Sequence, residues 1–367
     1  MDNHVFTTND ALLRLPFDQY GRYRLIREIL DAARPLLGPR LRVLDVGGLA
    51  VTRRGETILP AQLFLPADDV TVLDMPACDL PGYVRGDGRG IAFADRTFDM
   101  VISCDTLEHV PAPDRAAFWG ELLRVTRHGV ILAAPFNEPP TVAAEALLQG
   151  YIQAELRVTQ PQLAEHSQYG LPDRALTSGL LDSLGRHYRT YPVGYVHAWL
   201  AMMLAKHTRL FADLDLHDQL DRYYNQFLVA AERREPSYRH VWVVESDGRS
   251  DWLDAVSTAV APTISPADTD TAGWRDLATW AIQLHGMRLA GDQAAQIHGQ
   301  MASLSQRDDQ IARLQTALAQ RDAQIADLER RANWLDGQAR AARLALEAVE
   351  HGMVMRLMRR LPLRRRR

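Results

Sequence analysis

The chain has 367 residues, 47% of them hydrophobic, which is enough for a large core and for more than one structural unit. Its formal net charge of −4 gives no general sign of nucleic-acid binding, and two cysteines are too few for a disulfide framework. The first residues lack a secretion signal, and no stretch reaches the roughly 18 apolar residues that span a bilayer, so we expect a cytoplasmic protein.

Helix-like and strand-like segments alternate from about residue 20 to residue 245. Helical spacing predicts helices over YGRYRLIREILDAARPLL and DRAAFWGELLRVT and between residues 197 and 233. Short apolar runs predict seven strands at RVLDVGG, VTVLDMP, GYVRGDG, FDMVISCD, HGVILAAPF, YRTYPVGYV and RHVWVVES. This alternation predicts an α/β domain over residues 1–245, with a mostly parallel sheet buried between helices on both faces.

The composition changes after residue 245. Residues 246–272 are rich in Ser, Thr, Asp and Pro, which predicts a linker. Residues 273–350 read as helix and include a near-repeat, QRDDQIARLQTALA followed by QRDAQIADLERRAN. The heptad spacing of Ile and Leu from Ile297 to Leu335 predicts a coiled-coil stalk through which chains self-associate. A long surface helix packed on the domain is the alternative.

The segment 351–367 is a basic amphipathic tail. Its sequence, HGMVMRLMRRLPLRRRR, mixes seven arginines with seven Met, Val and Leu residues. Such a segment is typical of one that lies on an anionic membrane surface, so we expect peripheral association with the inner face of the cytoplasmic membrane. A solvated terminus and a contact with RNA are the alternatives, and we expect no nucleic-acid partner.

Acidic residues follow three of the predicted strands. Asp45 precedes Gly47 and Gly48, Asp74 ends the next strand, and Asp87 lies in GDG. Asp74 can accept hydrogen bonds from both hydroxyls of a ribose, and Asp87 can accept one from an exocyclic amine. Three acids at one sheet edge suit an adenosine-containing ligand with a cationic group. A nicotinamide dinucleotide is the competing ligand, but it favours a third glycine, and a carboxylate there would repel its pyrophosphate.

Residues 40–136 resemble the class I S-adenosylmethionine-dependent methyltransferases of the broad type 11 group. The resemblance rests on VLDVGG, VLDM, GDG, FDMVISCDTLEHVP and RVTRHGVILAAPF. It implies a Rossmann-like, doubly wound seven-stranded sheet and S-adenosyl-L-methionine as cofactor. It also implies a cofactor site of Asp45, Gly47, Gly48, Asp74, Met75, Asp87, Gly88, Cys104 and Asp105.

The sequence departs from this family after the second glycine. Leu49, Ala50 and Val51 stand where a third glycine is usual, and the insertion TRRGETILPAQLFLPADD follows. This departure puts the pose of the cofactor at this point in doubt. A domain that binds the cofactor without activity is therefore an alternative.

Two segments predict the residues that lie next to the methyl acceptor. Glu108 and His109 follow the fourth strand, where similar triplets in the family lie near the active-site mouth, although both residues could also be structural. The insert at residues 160–185 contains EHSQYGLP, which resembles a segment of methyltransferases encoded in bacterial polysaccharide gene clusters. An alcohol acceptor needs a base, so we predict His166 with Glu165, together with His109, as catalytic residues. We assign no metal ligand.

The order of the domain, the stalk and the tail along the chain resembles that of polysaccharide chain-terminating methyltransferases. A methyltransferase head, a stalk and a membrane-binding tail predict O-methylation of a sugar or a lipid-linked glycan in bacterial surface polysaccharide synthesis. The acceptor would then be a glycan or a small molecule. A small-molecule methyltransferase acting on a quinone or a secondary metabolite is one alternative, and a non-catalytic cofactor-binding coiled-coil scaffold is another.

Overall fold

The computed structural model describes residues 8–207, 214–260, 334–340 and 343–344. These residues fall into two units, which divide between residues 285 and 286. The described part of the first unit is an α/β domain. In the second unit the described residues are helical, and their side chains are exposed.

The strands and helices of the first unit are named in chain order. The strands are β1 (Arg42–Val46), β2 (Ala50–Val51), β3 (Thr57–Ile58), β4 (Asp69–Asp74), β5 (Tyr83–Arg85), β6 (Phe98–Cys104), β7 (Thr126–Pro135), β8 (Tyr188–Tyr195) and β9 (Ser237–Glu245). The helices are α1 (Thr8–Leu13), α2 (Phe17–Leu37), α3 (Pro60–Phe64), α4 (Arg115–Val125), α5 (Pro139–Leu156), α6 (Pro161–Tyr169), α7 (Arg174–Ser183), α8 (Val196–Lys206), α9 (Leu214–Phe227) and α10 (Asp251–Ala259).

Seven strands of the described chain form one sheet in the order β5–β4–β1–β6–β7–β9–β8. Strand β9 is antiparallel to both of its neighbours, and the other pairs are parallel. The chain crosses from β1 to β4 on one side and returns to β6 on the other, so the strand order reverses at β1. Ligands of open α/β sheets bind at the carboxyl ends of the strands beside such a reversal.

Helices cover both faces of the sheet. On one face α2 and α10 pack against the strands, with Ile26, Ile29 and Trp252 fully buried. On the other face α4 buries Phe118 and Trp119, because its apolar residues recur at helical spacing along one side. A further cluster joins α5, α8 and α9. The predicted sheet with helices on both faces is confirmed.

Helix α10 differs from the linker that the sequence predicts at 246–272. Its side chains Trp252, Leu253 and Val256 are fully buried in the same core as α2. The Ser, Thr and Asp residues of this segment lie between these apolar positions, so composition conceals an amphipathic helix. The α/β domain therefore continues past residue 245, at least through α10.

The predicted stalk and tail lie mostly outside the described residues. Within 273–350 the structure describes 334–340 and 343–344 alone, and the whole of 351–367 falls outside. None of the helices in the described residues combines the length and the apolar character that a membrane span needs.

Candidate active site

A cavity of about 460 Å³ opens at the carboxyl edge of the sheet, beside the reversal of strand order. The loops after β1, β4 and β5 form its walls through Gly47, Asp74 and Asp87. Thr106 and His109, which follow β6, line the side of the cavity that faces α6. The strand-end acids that the sequence singles out thus meet at one edge, with the exception of Asp45.

Glycines bring the backbone close to this cavity. Gly47 has a φ of +80°, and a Cβ there would lie 2.1 Å from the hydroxyl oxygen of Thr106. A Cβ at Gly48 would lie 2.0 Å from the Asp45 carboxylate, and one at Gly88 would lie 2.5 Å from the ring of Phe118. Larger residues do not fit at these positions, so the wall here is bare backbone that a ligand can approach closely.

Asp74 is held in position by two backbone amides. The N–H of Leu49 donates to its carboxylate at 3.1 Å, and the N–H of Met75 donates at 2.7 Å. The side chain of Met75 is 61% exposed at the cavity edge. Asp74 is therefore oriented with acceptor capacity left over, beside an apolar side chain that is free to cover a ring.

Asp87 is paired with an arginine that sequence reasoning missed. Arg89 donates to Asp87 at 2.7 Å and to Asp114 at 2.8 Å across the mouth of the cavity. The Arg89 guanidinium, above all through its hydrogen bonds, lowers the pKa of the Asp87 carboxyl. Asp87 therefore meets a ligand as a carboxylate that Arg89 already contacts.

Asp45 lies below the glycine loop and lines neither cavity. It is fully buried, and the hydroxyl of Tyr23 donates to it at 2.7 Å. Burial raises the pKa of Asp45 to about 7. Its place indicates support of the Gly47–Gly48 turn from beneath.

A second cavity of about 340 Å³ adjoins the first. Gly47, Asp105 and His109 line both cavities. The second cavity is also lined by side chains from α2, α6, α8 and β9, including Arg22, Tyr23, Leu163, His166, Trp199, Tyr238 and Arg239. Two ligands placed in the two cavities would meet at these three shared residues.

Asp105 stands at the junction with a φ of +49°. A left-handed conformation is uncommon for a residue other than glycine, and here it follows directly after the end of β6. Both nitrogens of the Arg239 fork donate to the Asp105 carboxylate at 2.6 Å, and Arg22 also pairs with it. Cys104 lines the second cavity, and burial raises the pKa of its thiol to about 12, so it is a neutral wall residue.

The histidine pairing differs from the one predicted from the sequence. Nδ1 of His109 lies 2.7 Å from Glu165, whereas Nδ1 of His166 lies 2.8 Å from Glu145. Glu165 and His166 are consecutive on α6, so their side chains diverge around the helix by about 100°. Glu165 turns towards the exposed mouth and His166 turns inward, which leaves the two imidazole rings 4.9 Å apart.

These groups have altered proton affinities. Burial, together with the neighbouring His166, lowers the pKa of His109. Burial also raises the pKa of Glu108 to about 8. The junction of the two cavities thus holds a neutral imidazole and a carboxyl that retains its proton more strongly than usual.

Several lining residues were not predicted from the sequence. Trp199 of α8 stacks on Tyr238 of β9, with ring centroids 3.6 Å apart, and Arg239 follows on the same strand. The signal for Arg239 was present, because Arg and His stand inside an otherwise apolar run. The sequence also offers Tyr20, Arg22 and Tyr23 of α2 as residues that could close over the site. Arg22 and Tyr23 line the second cavity, whereas Tyr20 packs against Phe64.

Residues 68–134 match the family model of a methyltransferase domain. This segment is therefore similar to the methyltransferase domain of that family. It covers β4, β5, β6, α4 and nearly all of β7, and so carries Asp74, Asp87, Asp105 and His109.

Two curated relatives are uncharacterised methyltransferases of Mycobacterium. The protein of strain KMS is 35% identical and that of strain JLS 33% identical, each over 112 residues. The aligned part is 29% of this chain, and the chain spans 42% of the length of each relative. The likeness is therefore to the domain and not to the whole of either protein.

Solved structures resemble this chain more distantly. The plantazolicin methyltransferase BpumL, in complex with a triazolic desmethylPZN analogue and SAH, is 12% identical. The match covers 65% of this chain and 88% of that one, with a TM-score of 0.38. A likeness of this degree does not bear on what the methyltransferase domain acts on.

Proposed function

We propose that the chain is an S-adenosylmethionine-dependent methyltransferase whose first cavity holds the cofactor and whose second cavity holds the methyl acceptor. The observation that carries the proposal is the junction of two adjoining cavities at Gly47, Asp105 and His109. Group transfer needs two ligands to be held in contact, and this arrangement provides that contact at the strand reversal.

The first cavity fits this cofactor better than it fits a dinucleotide. Asp74 is oriented for a ribose, and the bare backbone at Gly47 allows close approach. The chain after Gly48 enters the β2–β3 hairpin, whereas a bound pyrophosphate favours the start of a helix at this point. Carboxylates around the mouth also suit a sulfonium and oppose a pyrophosphate.

When bound, the cofactor supplies a methyl group on a sulfonium, which an acceptor hydroxyl takes in an in-line displacement while it loses its proton. His109 and His166 are the groups that we propose to activate that hydroxyl. His109 lines both cavities and His166 lines the second. Glu165 orients His109 and Glu145 orients His166, so the carboxylates support the imidazoles and do not themselves take the proton.

We propose a sugar or a lipid-linked glycan as acceptor. An aromatic platform, Trp199 on Tyr238, and the amides of Gln160 and Gln162 line the second cavity, and such groups stack on and hydrogen-bond to sugars. Self-association through 273–350 and membrane contact through 351–367 belong to the same proposal. They would place the head at an inner membrane surface, where polysaccharide chains are built on lipid.

Titration calorimetry tests the cofactor assignment. S-adenosylhomocysteine should bind with one site per chain, and NAD⁺ at the same concentration should give no heat. The reverse preference would overturn the proposal. Consumption of S-adenosylmethionine in the presence of an acceptor then separates an enzyme from a cofactor-binding scaffold, and a screen of glycans against quinones separates the two acceptor classes.

A further inference from the structure

We propose that Glu108, His109 and His166 form a binding site for one divalent first-row transition-metal ion at the junction of the two cavities. One possible ligand atom from each residue lies within 4.8 Å of the other two. Ligands of a tetrahedral Zn²⁺ ion are about 3.4 Å apart, so these side chains would have to approach one another by up to about 1.4 Å to close the site.

The hydrogen bonds of both histidines prepare them as ligands. A carboxylate only accepts hydrogen bonds, so Nδ1 of His109 donates to Glu165 and Nδ1 of His166 donates to Glu145. This fixes the tautomer in which Nε2 of each ring carries a lone pair. Metal-binding histidines in proteins almost always donate their other ring N–H to a carboxylate or a carbonyl in this way.

Two of the candidate ligand atoms are buried without a partner. Nε2 of His166 and Oε2 of Glu108 have no hydrogen-bond partner within the described residues. His166 is 6% exposed and Glu108 is 1% exposed. Buried polar atoms are nearly always satisfied in proteins, so an unpaired imidazole nitrogen and an unpaired carboxylate oxygen in one cluster favour the binding of an electrophile.

The donor set selects the kind of ion. Two imidazole nitrogens and one carboxylate oxygen suit zinc, cobalt, iron or nickel, whereas magnesium favours an oxygen-only set. Three protein ligands leave at least one coordination position open, as in catalytic metal sites. His109 lines both cavities, so the open position adjoins the acceptor side.

The role that we give to the ion rests on the proposed function, whereas the binding of the ion does not. With an ion bound, the two imidazoles would be its ligands and would activate the acceptor hydroxyl through the metal, in place of accepting the proton themselves. The ion would bind the hydroxyl and lower the pKa of its proton, which would then leave to water. The hydroxyl oxygen would thereby become a better nucleophile at neutral pH. The outer carboxylates Glu145 and Glu165 would hold the imidazoles in place and make them more basic ligands.

A second group of possible ligands, Glu138, Glu235 and His240, is less suited. Arg174 donates to Glu138 at 2.6 Å and lies 3.3 Å from Nε2 of His240. A guanidinium that is hydrogen-bonded within the set repels a metal ion, whereas the two arginines that act on Glu108, Arg22 and Arg239, are paired with Asp105. His240 therefore serves as an internal comparison in the test.

The experiment uses the full chain without a histidine tag. The chain is stripped with a chelator, dialysed against Zn²⁺ or Co²⁺, and analysed for bound metal by mass spectrometry and for Co²⁺ by visible absorption. We expect one ion per chain and visible bands typical of nitrogen-ligated cobalt. Excess Mg²⁺ should not displace the ion.

Variants locate the site. His166→Gln and Glu108→Gln should each weaken binding by more than the ten- to hundred-fold loss expected for the outer-shell change Glu145→Gln. The matched control is His128→Gln, because Nδ1 of His128 also lies 2.8 Å from a carboxylate, that of Asp247, at the other end of the sheet. His128→Gln should bind metal as the wild type does.

Three results would overturn the inference: full binding by both His166→Gln and Glu108→Gln, loss of binding in His240→Gln alone, or equal loss in His128→Gln. Circular dichroism of each variant confirms folding, and if His166→Gln does not fold, Glu108→Gln decides. Calorimetry with S-adenosylhomocysteine is run in parallel. Metal binding without cofactor binding would contradict the proposed function and leave the metal site intact.

Discussion

Replacing Asp45 by Asn should alter how the stability of the domain depends on pH. The Asp45 carboxyl is fully buried below the glycine loop, with Tyr23 as donor to one oxygen and no partner for the other in the described residues. Burial raises its pKa from 3.8 to about 7, and the nearby carboxylate of Asp74 adds to the rise. Asn has the same shape as Asp but does not titrate, so the difference between the wild type and Asp45→Asn measures the effect of the Asp45 carboxyl alone.

The direction in which stability changes with pH follows from which state of the chain, folded or unfolded, loses the Asp45 proton first. The unfolded chain releases the Asp45 proton near pH 4, whereas the folded chain keeps it until about pH 7. Between these pH values the unfolded state becomes more stable relative to the folded state as the pH rises. A shift of about three pKa units corresponds to about 4 kcal/mol as an upper bound. The wild type should therefore lose up to about 4 kcal/mol relative to Asp45→Asn from pH 4 to pH 7, and nothing further above pH 7.

Urea unfolding, followed by circular dichroism at half-unit steps from pH 4 to pH 8, measures this difference. The other buried carboxyls occur in both proteins, so their contributions cancel. Tyr23→Phe is the control, because the Tyr23 hydrogen bond holds the pKa of Asp45 down. Its removal should extend the loss to higher pH. A difference in unfolding free energy that does not change with pH would refute the inference that Asp45 is buried and keeps its proton in the folded chain.

The site and the chain support four further predictions. Asp74→Ala should weaken S-adenosylhomocysteine binding by about 1.5–3 kcal/mol in calorimetry, and unchanged affinity would remove Asp74 from the site. A chain ending at 250 should be less stable to urea than one ending at 260 by about 5 kcal/mol, because three buried side chains of α10 are lost; equal stability would contradict their place in the core. The chain ending at 260 should be monomeric in light scattering where the full chain is oligomeric, and equal masses would rule out the stalk as the assembly element. Deleting 353–367 should abolish pelleting with anionic liposomes, and pelleting that survives the deletion would exclude the tail as the anchor.

The centre of the sheet was predictable because β1, β6 and β7 are buried on both faces and are nearly continuous apolar runs. Asp74 ends β4, and Asp87 follows two residues after β5. Parallel strands end at one edge, so the sequence alone could bring these acids together. Asp45 shows the limit of this argument, since its side chain turns under the loop towards Tyr23 and not into the cavity.

The pairing of side chains across the second cavity was not predictable. Glu165 and His166 are neighbours in sequence, but the orientation of α6 gives them different partners in His109 and Glu145. That orientation depends on how α6 packs against the turn after β6, which local sequence does not specify. Arg239 likewise reaches Asp105 only because β9 lies next to β7 in the sheet.

The proposed function depends above all on methyl transfer from a cofactor in the first cavity to an acceptor in the second. The most direct test incubates the full chain with S-adenosylmethionine carrying an isotope-labelled methyl group and with the lipid-linked glycan fraction of a strain that lacks this gene, followed by mass spectrometry of the glycan. We predict one labelled methyl group per glycan chain, and a much lower yield with Asp74→Ala when the cofactor concentration is near the Kd of the wild type. An unlabelled glycan, with no cofactor consumed in the presence of glycans, quinones or other small acceptors, would contradict the account.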